Sequence, residues 1–208
     1  MMTLRRYLPI SLLCMASLLA MSACSSTPRQ YHTLIPTQPA ATTPVKKADF
    51  QLQLMPVRIP VQVDQPSLVI RESDGRLTIL ENALWASPPA DEFHDALAFE
   101  LENRLGVRDL AGLPGTAEQP VLTVRTDVRR FDSLPGSHVA VDVVWNIELS
   151  NTLDNKKRGL TCASVIHEPA NHELANLVLA HQRSISKLAD AIANTAQKWK
   201  ANPTRGCP

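Results

Sequence analysis

An α+β fold, with an antiparallel or mixed β-sheet packed against two α-helices, is what this 208-residue sequence predicts. Three observations predict it. Several stretches alternate apolar and polar residues at period two, an Asp-Gly pair sits between two of them, and two other stretches space their apolar residues by three and four.

Residues 1–23 read as a leader to be removed. Arg5 and Arg6 precede an apolar run from Tyr7 to Ala20, which falls short of the roughly 20 residues a spanning helix needs. Met21-Ser22-Ala23-Cys24 follows. Small Ser22 and Ala23 before the cysteine suit a lipoprotein signal peptidase, with Met21 where Leu is usual, so Cys24 is the expected lipidation site. Cys14, preceded by bulky Leu12 and Leu13, is a poor rival. Each buried methylene of an acyl chain contributes about 0.8 kcal/mol, so several chains on Cys24 anchor the protein almost irreversibly. Ser25, rather than Asp, follows Cys24 and favours an outer-membrane address facing the periplasm.

Residues 24–48 carry Pro28, Pro36, Pro39 and Pro44 among Ser, Thr and Gln, a composition that cannot bury a core. They read as a tether reaching on the order of 70 Å when extended. Within it Tyr31-His32-Thr33-Leu34-Ile35 is β-prone and is expected to dock as a short edge strand. The domain itself is expected over 49–208.

Phe50 to Val61 predicts one half-buried strand with a Pro-marked end. Ser67–Arg71 and Arg76–Leu80 flank Glu72-Ser73-Asp74-Gly75 and predict a hairpin. Ser87 before Pro88, Pro89, Asp91 and Glu92 matches a helix N-cap, a Pro in the first turn and charges that favour the helix dipole. The helix that follows has Phe93, Ala96, Leu97, Leu101 and Leu105 on one face and ends at Gly106. Three strands come next, over 120–131, 137–150 and 159–167, forming an antiparallel meander. In the second, Val139, Val141, Val143, Trp145, Ile147 and Leu149 share a face. The last element, over about 171–200, is an amphipathic helix with Leu174, Leu177, Val178, Ile185, Leu188, Ile192 and Trp199 on one stripe.

Loss of Arg5 and Arg6 with the leader takes the formal charge from +1 to −1, so nothing points to nucleic acid. Besides Cys24 the exported chain keeps Cys162 and Cys207, and an oxidising compartment makes a disulfide between them the natural inference. It would close a loop of about 45 residues and contribute roughly 4 kcal/mol on the chain-entropy model. Neither cysteine has a second metal ligand at a recognisable spacing.

Candidates for catalysis are thin. The six histidines, His32, His94, His138, His167, His172 and His181, are scattered, and no nucleophile elbow, phosphate-binding Gly loop or His-Glu-Xaa-Xaa-His helix occurs. No enzyme activity, metal or cofactor is expected. Leu84-Trp85-Ala86-Ser87-Pro88 is the most distinctive string. Trp85 either plugs the bottom of the core while Ser87 caps the helix, or joins Leu84 and Pro88 in a contact surface for a partner, since Trp is over-represented among interface anchors.

The lipobox, the Tyr31-Xaa-Xaa-Leu34 segment, and the strand and hairpin leading to Asn82-Ala83-Leu84-Trp85-Ala86-Ser87-Pro88 resemble the PqiC/YmbA family of ABC-type transport auxiliary lipoproteins. His32 stands where a second Tyr is common in that family. The resemblance implies a non-catalytic outer-membrane lipoprotein working with a PqiB-like MCE-domain protein, in a system that moves membrane lipids across the periplasm and supports envelope integrity. Its implied task is to dock the tip of a periplasm-spanning tunnel to the outer membrane, a role compatible with a homo-oligomer matching a ring-shaped partner. A stand-alone periplasmic lipid carrier, or a periplasmic hydrolase using His138, His167 and His172, are the competing readings.

Overall fold

The computed structural model describes residues 28–38, 47–151 and 156–208. Residues 1–27, with the expected leader and Cys24, and residues 39–46 and 152–155 lie outside the described residues. In chain order the elements are β1 (Gln30–His32), β2 (Gln51–Leu54), β3 (Ser67–Arg71), β4 (Leu77–Trp85), α1 (Pro89–Leu105), β5 (Val121–Leu134), β6 (His138–Asn151), β7 (Lys156–Pro169) and α2 (Leu174–Ala201).

They form two sheets, one ordered β1-β4-β3 and the other β2-β5-β6-β7. The hairpins β3–β4, β5–β6 and β6–β7 are antiparallel, as their local turns require. At the β3–β4 turn Glu72 N–H donates to Arg76 O at 2.8 Å and Gly75 N–H to Glu72 O at 3.0 Å. β1 on β4 and β2 on β5 are parallel, so the sheets are mixed. The expected strand from Phe50 to Val61 is shorter than its alternation suggested. Pairing stops at Leu54, and beyond it only a bridge between Arg58 and Asp127 remains. Pro56 and Pro60 lack the N–H that a longer ladder needs. The sheets meet where the Arg71 guanidinium of β3 pairs with Asp132 of β5 at 2.9 Å.

The core lies between the four-stranded sheet and the helices. From β6, Val139, Val141, Val143, Trp145, Ile147 and Leu149 point inward, all buried, and α2 lays Leu177, Ile185, Leu188, Ile192 and Trp199 against β6 and β7. Each such side chain contributes roughly 1.5–3 kcal/mol on leaving water. The one polar group on buried Trp145, its indole N–H, donates to Ser164 Oγ on the neighbouring strand at 2.9 Å.

Gly106 closes α1 in the left-handed conformation, φ 64°, with its N–H on Glu102 O. Gly136 in the β5–β6 turn has φ 75°, and a Cβ there would lie 2.2 Å from the His172 ring, so only glycine fits. α2 starts at Leu174, the first residue of its apolar stripe and three residues later than the expected bound near 171, because Asn171 turns the chain by accepting the Glu173 N–H on its side chain at 2.8 Å.

The two helices are joined by a charge cluster centred on buried Arg104. Arg104 of α1 is ion-paired with Glu100 one turn back, donates to Asp190 of α2 at 2.7 Å, and reaches Ser186 Oγ at 2.8 Å. Burial alone would lower the Arg104 pKa, but hydrogen bonds and Coulomb attraction to Asp190 and Glu100 raise it overall. Asp190 thus serves α1 rather than only the exposed helix face.

Candidate functional site: the β1–β4 edge

The short segment Tyr31 to Leu34 folds into the domain. β1 lies parallel to β4 with Tyr31 opposite Leu84 and His32 opposite Trp85, and Ala86 N–H donates to His32 O at 2.8 Å. Two residues on, Leu34 is fully buried. This is the short edge strand expected of Tyr31 to Ile35: one apolar anchor and main-chain hydrogen bonds hold it at the edge of the β1-β4-β3 sheet despite its Pro-rich context.

Glu92, 3% exposed, holds this arrangement. Its Oε2 accepts the Leu34 N–H at 2.7 Å and the Thr33 hydroxyl at 2.7 Å. Its Oε1 accepts the Ser87 N–H at 3.1 Å and the Ser87 hydroxyl at 2.9 Å. One carboxylate thus ties β1 to the Trp85-Ala86-Ser87 corner. Ser87 consequently does not cap α1. The N-cap is Pro88, with Pro89 at the first helical position, and the Ser87 hydroxyl donates to Glu92 instead of accepting a helix N–H. From α2, Gln182 Nε2 donates to Thr33 O at 3.0 Å.

Beneath the corner sits His181, fully buried, its ring stacked on Phe131 at 4.0 Å and edge-on to Trp85 at 6.3 Å. Its Nε2 is hydrogen-bonded with Ser133 Oγ at 2.8 Å, and its Nδ1 has no partner among the described residues. Burial pushes its pKa down to about 3, and burial also lowers that of His32. Sequence reasoning missed both Glu92 and His181. For His181 a signal existed, since it falls three or four residues from Val178, Leu177 and Ile185 on the apolar stripe of α2. Glu92, read as a dipole-favouring charge, carried no local sign that it turns inward.

Of the residues expected to meet a partner, Trp85 is 5% exposed and packs on Phe131 and His181, Leu84 is half-buried, and Pro88 is exposed. The tryptophan belongs to the core. Cys162 and Cys207 are joined by a disulfide with Cα atoms 5.6 Å apart, which fastens the chain beyond α2 to β7. Cys24 is outside the described residues, but its distance along the chain is fixed. Six residues separate it from Gln30 in numbering, and extended chain covers about 3.3–3.6 Å per residue, so the cysteine lies within about 20 Å of β1.

The three histidines of the hydrolase reading are brought near one another at the β5–β6 turn. His138 and His167 meet with ring centroids 5.1 Å apart, and His172 lies against Gly136. Ser137 Oγ lies within hydrogen-bond distance of His138 Nδ1, at 2.8 Å. Glu168, the acid beside His167, points to the other face of β7, where Lys187 pairs with it at 2.5 Å and Arg183 at 3.1 Å. Burial raises the Glu168 pKa, but those hydrogen bonds hold it below the usual carboxylate range. Among the described residues no group of three or more His, Cys, Asp or Glu is placed to hold a metal ion, and no helix is long and apolar enough to cross a membrane. A groove of about 520 Å³ opens beside the end of α1, lined by Lys47, Gln51, Glu102 and Arg108 as well as Phe50 and Phe99.

Comparison with known proteins agrees with this architecture. A crystal structure of an uncharacterized protein superposes with a TM-score of 0.59 at 18% identity, covering 82% of this chain and 99% of that one. A crystal structure of a protein from Xanthomonas campestris gives a TM-score of 0.56 at 18% identity, over 83% and 99% of the two chains. At that identity these likenesses establish the fold. No curated protein matches the sequence. The model of the ABC-type transport auxiliary lipoprotein component matches residues 32–193, from within β1 to within α2. The match spans most of the domain just described, the last residue of β1 and the Trp85 corner included, and the chain belongs to the ABC-type transport auxiliary lipoprotein component family.

Proposed function

We propose that this chain is an outer-membrane lipoprotein, acylated on Cys24 and facing the periplasm, that acts as a non-catalytic accessory subunit of an MCE-type lipid-transport system. Its task is to dock the periplasm-spanning tunnel of a PqiB-like partner to the outer membrane and so support envelope integrity. The observation that carries this reading is the family match over 32–193, joined to the Ser22-Ala23-Cys24 lipobox immediately upstream. A docking subunit needs a rigid body near the membrane rather than a reaction centre. The Glu92 and His181 networks supply rigidity, and the short distance from Cys24 to β1 keeps the body close. A stand-alone lipid carrier calls for an enclosed apolar cavity, whereas the 520 Å³ groove is open and its lining includes Lys47, Glu102 and Arg108.

Two measurements test the proposal together. Labelled palmitate should enter the full chain and not its Cys24→Ser variant. Acylated protein in membranes should co-purify with the MCE protein of the same cell. Acylated protein that associates with no MCE protein, in membranes or after reconstitution, overturns the docking role.

A further inference from the structure

We propose that the β1 edge of the domain rests on the bilayer itself, with Tyr31 and Arg29 at the level of the lipid headgroups. This deepens the reading above and rests on acylation of Cys24. The argument is one of lengths. The acylated residue lies at most about 20 Å along the chain from Gln30. Thr33, next to β1, accepts a hydrogen bond from Gln182 of α2, and from Gln182 the helix runs on to Ala201, about 28 Å at 1.5 Å per residue and beyond that reach. The domain therefore cannot turn its far side to the membrane while its acyl chains stay in it. Whichever way it tilts, the start of β1 stays near lipid.

The residues at that point suit the location. The fold takes up the neighbours of Tyr31: His32 is half-buried opposite Trp85, and Leu34 is fully buried. Tyr31 itself is left 64% exposed beside half-buried Leu84. An aromatic ring with a polar tip is the side chain that favours a membrane interface. Arg29, two residues nearer the anchor than Tyr31, is exposed and has no ion-pair partner among the described residues, which frees its guanidinium for a phosphate.

The test uses the full acylated chain in vesicles of phosphatidylethanolamine and phosphatidylglycerol, with and without brominated acyl chains, which quench nearby tryptophan. Tyr31→Trp places a reporter on β1, and Val165→Trp places one on β7, where the native residue is 67% exposed. Emission is read above that of the parent, whose Trp85, Trp145 and Trp199 are all buried. The expected result is loss of the added emission for Tyr31→Trp and none for Val165→Trp. Inserting a long Gly-Ser segment between Ser26 and Thr27 should abolish the quenching while the protein still floats with the vesicles. Floating protein whose Tyr31→Trp signal is unquenched overturns the orientation alone and leaves the β1 edge to a protein partner. Quenching that survives the insertion overturns the role of the short connection. Protein that takes up no palmitate and does not float overturns the anchor and the orientation together.

Discussion

Glu92, in the first turn of α1, accepts the main-chain N–H of Leu34 at 2.7 Å across 58 residues of sequence. The bond converts the segment after the lipobox from a loose connection into the first strand of the domain. Because Glu92 also takes both donors of Ser87, one carboxylate fixes the two strings that carry the family resemblance against each other.

Replacing Glu92 by Ala leaves the buried Leu34 N–H without a partner, and hydrogen bonds to a charged group are worth about 1.5–3 kcal/mol. Glu92→Ala is expected to lower stability by about 2–3 kcal/mol in urea unfolding, and to accelerate hydrogen exchange at Leu34 well before the sheet centred on β6 exchanges. Unchanged exchange at Leu34 would show that β1 is held by something else.

Trp85 packs on Phe131 and His181, so its truncation is a core deletion costing about 3–5 kcal/mol. Loss of a partner on Trp85→Ala would then report unfolding rather than a lost contact. Trp85→Phe keeps most of the packing, and we expect it to retain both the fold and any association with an MCE protein. A stably folded Trp85→Phe variant that no longer associates would return the side chain to the interface.

These two side chains mark the boundary of what was legible in the sequence. The inner faces of α1, β6 and α2 could be read directly, because each element is long enough for its period to declare which residues turn inward. Pairings between distant segments could not. β1 lies on β4 and β2 on β5 in parallel, and such pairing leaves no turn in the sequence to announce it. Trp85 was readable as core or as contact because the hairpin strand was read only to Leu80, whereas β4 runs on to Trp85 and turns Ala83 and Trp85 inward. Glu92 was invisible as a hub because its ligands, Thr33, Leu34 and Ser87, come together only once β1 has docked. His181 broke the residue-type expectation for a core position while obeying the spacing, and spacing was the better guide.

The Cys162–Cys207 bond spans 45 residues, including all of α2. On the chain-entropy model its loss costs about 4 kcal/mol. Cys207→Ser should show that loss in denaturant unfolding under oxidising conditions. The parent in reductant should fall to the same value, and the variant should not respond to reductant at all. Equal stability of parent and variant would mean that the bond constrains nothing the native contacts do not already hold.

His181 gives the stability a pH dependence whose sign follows from burial. Its pKa is about 3 in the folded chain and about 6.5 when exposed, so between those values the unfolded state binds more protons than the folded one. Stability therefore falls as pH drops below about 6.5, the slope approaching about 1.4 kcal/mol per pH unit. His32, also lowered by burial, acts in the same direction with a smaller reach. Glu168 is lowered too, but as a carboxylate it begins to cost stability only nearer its ordinary value of 4.5, so the window between about 6.5 and 5 belongs to the histidines. Urea midpoints measured at intervals across that window should decline for the parent. His181→Gln keeps a side chain able to bond with Ser133 and does not titrate, so its midpoints should decline much less, the remainder belonging to His32. The slope, not the absolute stability, is the readout, because the substitution itself disturbs a fully packed site. A His181→Gln variant with the parent's slope would place the acid sensitivity elsewhere and leave this histidine a purely structural spacer between Trp85 and Phe131.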